Sequence, residues 1–292
     1  MRLLVFGGWG QFGTELVLAA EGRHELIRPT HLEADVTDGG AVEAAVRAVR
    51  PDAVVNAAAF HRVERCEEDP GTAMAVNTVG AVNVARAAAG AGARAVLVSS
   101  DYVFDGEKGI GYAEDDRPSP VNLYGVSKAA AEQGVRIVCP DSMVVRLSGL
   151  FGHAGSSGKG GNFVESVLAR ASAGESLSVV DDQRLSPTAA ADAAARLLEL
   201  LDCAAPAGMY HLANRGSCSW FELAGAVLEL SGLQAQLSPR STGPDEVRRP
   251  RCSVLADTRT GPLGLAPTRP WRRALAWYLE ARAEPRFRRS PR

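Results

Sequence analysis

Short apolar runs alternate with longer amphipathic segments through the first half of the chain. Leu3 to Phe6 is apolar throughout and stops at Gly7, which predicts a buried strand. Residues 11–20 follow as a helix. The alternation continues with a strand at Glu25 to Arg28 and a helix at Val42 to Val49, with Thr37 or Asp38 available as its N-cap. A strand at Ala53 to Asn56, a long helix over 72–90, a strand at Ala95 to Ser99, a helix at Tyr124 to Ile137 and a strand at Met143 to Leu147 complete the series. Strands without a polar face need cover on both sides. Alternating with helices, they predict an α/β fold built on a doubly wound parallel sheet.

After residue 150 the pattern loosens. HAGSSGKGGN at 153–162 reads as a Gly/Ser-rich loop. Phe163 to Ala173, Ala189 to Asp202 and Trp220 to Ser231 read as helices, joined by Pro-rich connections such as SPRSTGPDEVRRPR. The tail RAEPRFRRSPR is basic, and its reading is a solvated, frayed end, since no aromatic platform accompanies the charge.

Composition narrows the class. At 292 residues, 46% hydrophobic and 23% charged, the chain is an ordinary globular protein of one or two domains. A formal charge of -2 gives no reason to expect nucleic acid or an anionic membrane as partner. The five cysteines (66, 139, 203, 218 and 252) include no Cys-x-x-Cys pair, which favours reduced thiols in a cytoplasm over disulfides or a zinc site. The start, MRLLVFGGWG, is too short an apolar run for a signal peptide, and no stretch approaches the ~18 apolar residues that span a bilayer.

The first turn carries chemistry. Gly7, Gly10 and Gly13 follow a strand and open a helix with G-x-x-G-x-x-G spacing, enclosing Gln11 and Phe12. Such a turn lets backbone touch a pyrophosphate at a helix N-terminus, so the fold is expected to be Rossmann-type and to hold NADP or NAD. Trp9 and Phe12 either line that site or pack. Arg28 and Thr30 follow the second strand, where an arginine meets a 2'-phosphate; whether NADH or NADPH is used stays open.

Tyr124 and Lys128, four residues apart, share one helix face. An ammonium beside a phenol is expected to lower its titration toward the working range. Ser100 lies at a strand C-terminus, where open α/β sheets bind ligands, and its hydroxyl suits a substrate carbonyl. Ser99 is the neighbouring candidate, but adjacent strand residues face opposite sides, so only one points into the site.

Together these residues resemble the extended short-chain dehydrogenases/reductases. The finer motifs resemble dTDP-4-dehydrorhamnose reductases: ADVTD at 34–38, VNAAAF at 55–60, VNTVGAVNVA at 76–85, SSDYVFDG at 99–106, PVNLYGVSK at 120–128, GGNFVESVL at 160–168, DDQRLSPT at 181–188, GMYHLAN at 208–214 and RRPRCSVL at 248–255. The ordered set covers nearly the whole chain. The resemblance implies catalytic roles for Ser100, Tyr124 and Lys128. It implies cofactor contacts at Gly7, Gly10, Gln11, Phe12, Gly13, Arg28, Asp35, Val36, Ala57, Ala58, Ala59, Asn77, Tyr124 and Lys128. Substrate contacts are implied at Ser100, Tyr102, Asn162 and Arg249. It further implies an NAD(P)-binding domain over 1–149, to which 183–215 returns, and a smaller C-terminal substrate-binding domain from 150–182 and 216–292.

Three departures fall on the substrate side. Gly149 stands where the family usually has Trp, Leu185 where it has Gly, and Cys252 where it has Asn. Loss of the aromatic at Gly149 implies a wider sugar pocket. The implied reaction is NAD(P)H-dependent reduction of a 4-keto group on a nucleotide-linked deoxysugar. The alternatives are another epimerase, dehydratase or ketoreductase of sugar nucleotides, or a non-catalytic NADP-binding subunit resembling the regulatory subunit of methionine adenosyltransferase. Asp101 follows Ser100, but the glutamate partner expected of a dehydratase is absent. A monomer or homodimer is expected. Glu15 matches a position that bridges metal in some relatives, but a helix glutamate is usually solvated, so no metal site is expected.

Overall fold

The computed structural model describes residues 1–154 and 161–282. The Gly/Ser-rich loop beyond residue 154 and the basic tail beyond residue 282 lie outside the described residues. The elements run β1 (Arg2–Phe6), α1 (Gln11–Ala20), β2 (Glu25–Ile27), α2 (Gly39–Val49), β3 (Ala53–Asn56), α3 (Val63–Glu68), α4 (Pro70–Met74), a π-helical turn (Ala75–Val79), α5 (Gly80–Gly90), β4 (Arg94–Ser100), α6 (Leu123–Val138) and β5 (Met143–Leu147). Then come β6 (Leu150–Phe151), α7 (Phe163–Ser172), β7 (Leu177–Val180), β8 (Arg184–Leu185), β9 (Thr188–Ala189), α8 (Ala190–Asp202), β10 (Gly208–His211), β11 (Cys218–Ser219), α9 (Trp220–Ser231), β12 (Leu237–Arg240) and α10 (Trp271–Ala281).

Six strands form one parallel sheet in the order β10-β5-β4-β3-β1-β2. Alternation along β1 explains its two covered faces. Leu3 and Val5 point to one side, against Leu16 and Ala20 of α1 and Leu197 and Leu201 of α8. Leu4 and Phe6 point to the other, against Val42 of α2, Val84 of α5 and Val135 of α6. This is the expected doubly wound, Rossmann-type arrangement.

A third apolar cluster gathers Phe151, Val164, Leu168, Leu177, Leu223, Val227, Leu275 and Tyr278. It joins α7, α9 and α10 with the small paired strands β7–β12 and β8–β11. Their short strands carry too few residues for periodicity to reveal them.

One predicted helix differs. The segment 72–90 is interrupted by the π-helical turn at Ala75–Val79, and α3 precedes it. Apolar periodicity continues through a π-turn, which is why the pattern reads as a single helix.

Candidate active site

The sheet order reverses at β1: β2 lies on one side and β3 on the other, with α1 and α2 on opposite faces. A crevice therefore forms at the C-terminal ends of β1 and β3. A cleft of about 900 Å³ starts there and runs past β4 and β5 to α7 and α9. Phe6, Gly7, Gly10, Gln11, Phe12, Asp35, Val36, Ala57, Ala58 and Ala59 line one end. Ser148, Gly149, Asn162, Phe163, Gln183, Leu185 and Trp220 line the other, with Ser100, Asp101, Tyr102 and Tyr124 also on its wall.

The glycine end is built to receive backbone-bound phosphate. Gly7 has φ +73, and a β-carbon there would fall 2.4 Å from the Ala58 amide nitrogen. A β-carbon on Gly13 would fall 2.4 Å from Gly8 Cα, so helix and turn close only without side chains. α1 opens at Gly10 with no side-chain cap and no acid in its first turn, whereas Asn122 and Asn162 cap α6 and α7. Its leading N–H groups face the cleft mouth with the positive end of the helix dipole. A dinucleotide diphosphate fits these groups.

Arg28, Gly13, Asn77, Lys128 and Arg249 do not line the cleft. The Arg28 guanidinium lies 3.7 Å from the centroid of Trp9, and its Nη1 donates to the Gly8 carbonyl at 3.3 Å. Asn77 accepts the Phe60 N–H at 2.8 Å and donates to the Phe60 carbonyl at 3.0 Å and to Ser127 Oγ at 2.9 Å. It thereby fastens the chain after β3 to α6. The Asp35 carboxylate accepts the Thr37 N–H at 2.9 Å, and that bond holds its carboxyl below the usual range.

Ser100 ends β4, and Tyr124 and Lys128 lie one turn apart on α6. Asn122 starts that helix: its Oδ1 accepts the Gly125 N–H at 2.8 Å while its Nδ2 donates to the Arg248 carbonyl at 3.0 Å. The two strand-end serines part as alternation requires. Ser99 also touches the cleft wall, but its Oγ donates to Glu132 at 2.6 Å. Ser100 Oγ donates to Asp101 at 3.0 Å and accepts the Tyr102 N–H at 3.2 Å. Lys128 Nζ donates to the Val98 carbonyl at 2.6 Å, and burial brings its ammonium down to about 8, opposed by Glu132.

The phenol corrects an expectation. Tyr124 is shifted upward, because burial outweighs the opposing bond from Ser100. Buried as it is, the phenol stays protonated. That is the state a proton donor needs.

The sequence marks Asp101 only as a neighbour of Ser100. It is fully enclosed and accepts hydroxyls from Ser148 at 2.8 Å, Ser253 at 2.6 Å and Ser100 at 3.0 Å. Burial, only partly offset by those hydroxyls, raises its carboxyl to about 6. Ser148 and Ser253 carry no motif that would announce them; the fold alone brings them to one carboxylate.

Of the expected substrate residues, Tyr102 lines the cleft and meets Tyr124 edge-on at 5.9 Å. Asn162 caps α7 and donates to Gln11 Oε1 at 3.1 Å and the Gly152 carbonyl at 2.9 Å. Arg249 is ion-paired with Glu64. Phe163, Gln183, Arg184, Leu185 and Trp220 are not among the expected site residues, and they line the cleft. The expected opening at Gly149 is filled from the side by Leu185.

Glu15 is buried rather than solvated, because its carboxylate accepts the His153 N–H at 2.9 Å and faces His153 Nδ1 at 2.9 Å. Among the described residues no group of three or more His, Cys, Asp or Glu is placed to hold a metal ion. No helix among them is long and apolar enough to cross a membrane.

The family model described as the RmlD substrate binding domain matches residues 1–283. The spore coat polysaccharide biosynthesis protein SpsK of Bacillus subtilis is 37% identical over 97% of this chain and 98% of its own. The dTDP-4-dehydrorhamnose reductase of Streptomyces griseus is 39% identical over 94% of this chain and 91% of its own. The dTDP-4-dehydrorhamnose reductase of Bacillus anthracis, solved in complex with NADP, superposes with a TM-score of 0.90 at 32% identity, covering 96% of this chain and 98% of that one. With the match running from the glycine cradle to the last helix, the chain belongs to the RmlD substrate binding domain family.

Proposed function

We propose that the protein is an NAD(P)H-dependent reductase of a 4-keto group on a nucleotide-linked deoxysugar, of the dTDP-4-dehydrorhamnose reductase kind. The observation that carries this reading is one continuous cleft with the glycine cradle at one end and Ser100 and Tyr124 on its wall, Lys128 directly behind them. Gly7, Gly10, Gln11, Phe12 and Gly13 would hold the diphosphate, with Asp35, Val36 and Ala57 to Ala59 beside the rest of the dinucleotide. When bound, the nicotinamide supplies the hydride for the carbonyl carbon.

Tyr124 gives its proton to the carbonyl oxygen as charge develops there. Ser100 orients that oxygen, and Tyr102 and Asn162 shape the sugar side. Lys128 stabilises the phenolate that Tyr124 leaves and reaches the cofactor ribose. Arg249 serves the substrate diphosphate by exchanging its pairing with Glu64. The division of labour assigns 1–149 with 183–215 to the cofactor, and 150–182 with 216–292 to the sugar nucleotide. Five cysteines, none of them in a disulfide among the described residues, suit a cytoplasmic location.

Tyr124→Phe tests the reading. The ring and its edge contact with Tyr102 stay, so thermal stability and NADPH affinity are expected to hold. Turnover of a 4-keto sugar nucleotide is expected to fall about 10²–10⁴-fold. Near-normal turnover in the variant overturns the assignment. A wild type that binds NADPH but turns over no 4-keto sugar nucleotide points to the non-catalytic alternative.

A further inference from the structure

Behind Tyr124 the core holds a cluster of charge. Lys128, Glu132, Arg146 and His211 are between 1% and 3% exposed and come from α6, β5 and β10. Glu132 follows Lys128 by one helical turn on the same face of α6. Its carboxylate accepts Arg146 Nε at 2.9 Å and Arg146 Nη2 at 2.8 Å, a two-pronged pair, and Ser99 Oγ at 2.6 Å. Arg146 Nη1 donates to the Glu114 carbonyl at 3.4 Å and to His211 Nε2 at 3.3 Å. The same guanidinium lies 4.8 Å from the ring centroid of Phe104.

The other groups facing this cluster leave its charge count simple. His211 Nδ1 donates to the Ala256 carbonyl at 2.9 Å, and burial together with Arg146 pushes the ring down to about 3, so it is neutral. The Glu114 carboxylate is turned to Thr258, whose Oγ1 donates to it at 2.7 Å. The Asp257 charge acts on His211 and only partly opposes the downward shift of its ring. Tyr124, protonated, and Asp101, bound by three serines, stand on the cleft side of β4. Among Lys128, Glu132, Arg146 and His211 themselves there are two cations and one anion, Glu132; the carboxylates of Glu114, Asp257 and Asp101 lie outside that group.

We propose that Glu132 and Arg146 are positioning residues that set the charge of Lys128: Glu132 keeps the proton on the ammonium, and Arg146 neutralises Glu132 so that one positive charge stays uncompensated behind Tyr124. An isolated buried ammonium sheds its proton. A carboxylate one turn away prevents that, but alone it would also cancel the field on the phenol. The bidentate arginine removes the second effect while leaving part of the first. The inference rests on the reading of Lys128 as the partner of Tyr124. A structural role alone, tying α6 to β5, is the competing account, and it concerns stability rather than titration.

The experiment is the pH dependence of kcat, with cofactor KM and thermal midpoint measured in parallel, for the wild type and five variants. In the wild type the alkaline limb reports loss of the Lys128 proton near pH 8. Glu132→Gln leaves Lys128 facing Arg146 alone, so the limb is expected to move down by about one pH unit. Arg146→Met leaves Glu132 unneutralised, so the limb is expected to move up by a similar amount, on the order of one unit. The double variant is expected to return close to the wild type. Arg146→Lys keeps the charge but loses the fork, so its midpoint falls while its limb stays.

Limbs that do not move, or that move the same way in both single variants, overturn the inference. If Glu132→Gln does not fold, the contrast between Arg146→Met and Arg146→Lys decides: an unmoved limb in both overturns the proposal. Lys128→Met separates the layers. Unmoved limbs beside a strongly impaired Lys128→Met reject only this inference, whereas near-normal turnover in Lys128→Met rejects the reading beneath it.

Discussion

Leu185 occupies the space beside Gly149: a β-carbon built on Gly149 would lie 2.3 Å from Leu185 Cδ1. The large and small residues expected at these two positions have exchanged places. Leu185 and Gly149 both line the cleft, side by side. Gly149 also has φ +51, a conformation that strains any side chain there.

Gly149→Trp alone is therefore expected to collide with Leu185 and to lower stability by about 1–3 kcal/mol, the usual cost of overpacking. Leu185→Gly alone is expected to admit sugars with bulkier substituents. Combining the two should recover part of the lost stability. Thermal unfolding, with kcat/KM over a panel of nucleotide sugars, checks all three. Additive losses in the double variant would mean the two positions do not share space.

Asp101 makes stability depend on pH, and its sign follows from the direction in which burial moves the carboxyl. The folded carboxyl titrates at about 6, above its ordinary 3.8. The unfolded chain thus ionises first, and the folded state is penalised as pH rises from 3.8 to about 6. Below that window the penalty is absent; above it, it is constant. Asp101→Asn is expected to raise the unfolding free energy at pH 7 by up to roughly 3 kcal/mol, since each pH unit across the window is worth about 1.4 kcal/mol. At about pH 3.5, below the window, the gain should vanish. Turnover should fall, since asparagine offers one acceptor oxygen where the three serines, Ser100 among them, now share two. Denaturant melts at both pH values check the sign, and an equal gain at both would refute it.

Trp9 lines the glycine end of the cleft, and Arg28 stands behind it, its guanidinium against the ring. Trp9 Nε1 donates to the Arg28 carbonyl at 3.3 Å, so ring and guanidinium hold each other in place. A preset arginine after β2 suits a 2'-phosphate, where an acid would suit a 2'-hydroxyl. Arg28→Glu is expected to lower kcat/KM for NADPH by about tenfold or more, in line with ~1.5–3 kcal/mol for a charged hydrogen bond. NADH should change little. Equal losses with both cofactors would instead indicate damage to the glycine turn through the lost bond to Gly8.

The parts of the molecule legible in the sequence are those with a local signature. β1 and β3 are short apolar runs, α6 carries Tyr124 and Lys128 at one-turn spacing, and the glycine turn has fixed spacing. The separation of Ser99 from Ser100 also follows from strand alternation alone. What escapes a sequence reading depends on distant chain. Glu132 looks like one more helix glutamate until Arg146, from a strand 14 residues on, is folded against it. Asp101 stands in the sequence only as the neighbour of Ser100, and nothing there brings Ser148 and Ser253 to its carboxylate. Glu15 departs from its expected solvation for the same reason: His153 lies 138 residues away. The direction in which Tyr124 moves depends on the depth of the phenol, which spacing does not encode.

The sixth strand of the main sheet, β10, is drawn from residues 208–211, after α7 has already been laid into the other lobe. α8, which covers the face shared with α1, also comes late. A chain synthesised as far as residue 149 holds five strands of the sheet but only half the roof over one side, and no His211 behind Arg146. The main sheet and the α7–α9–α10 cluster are thus stitched together rather than strung in sequence. The packing behind Tyr124 is completed only when the polypeptide returns to the sheet at β10, so the order of synthesis leaves the early cleft wall unfinished.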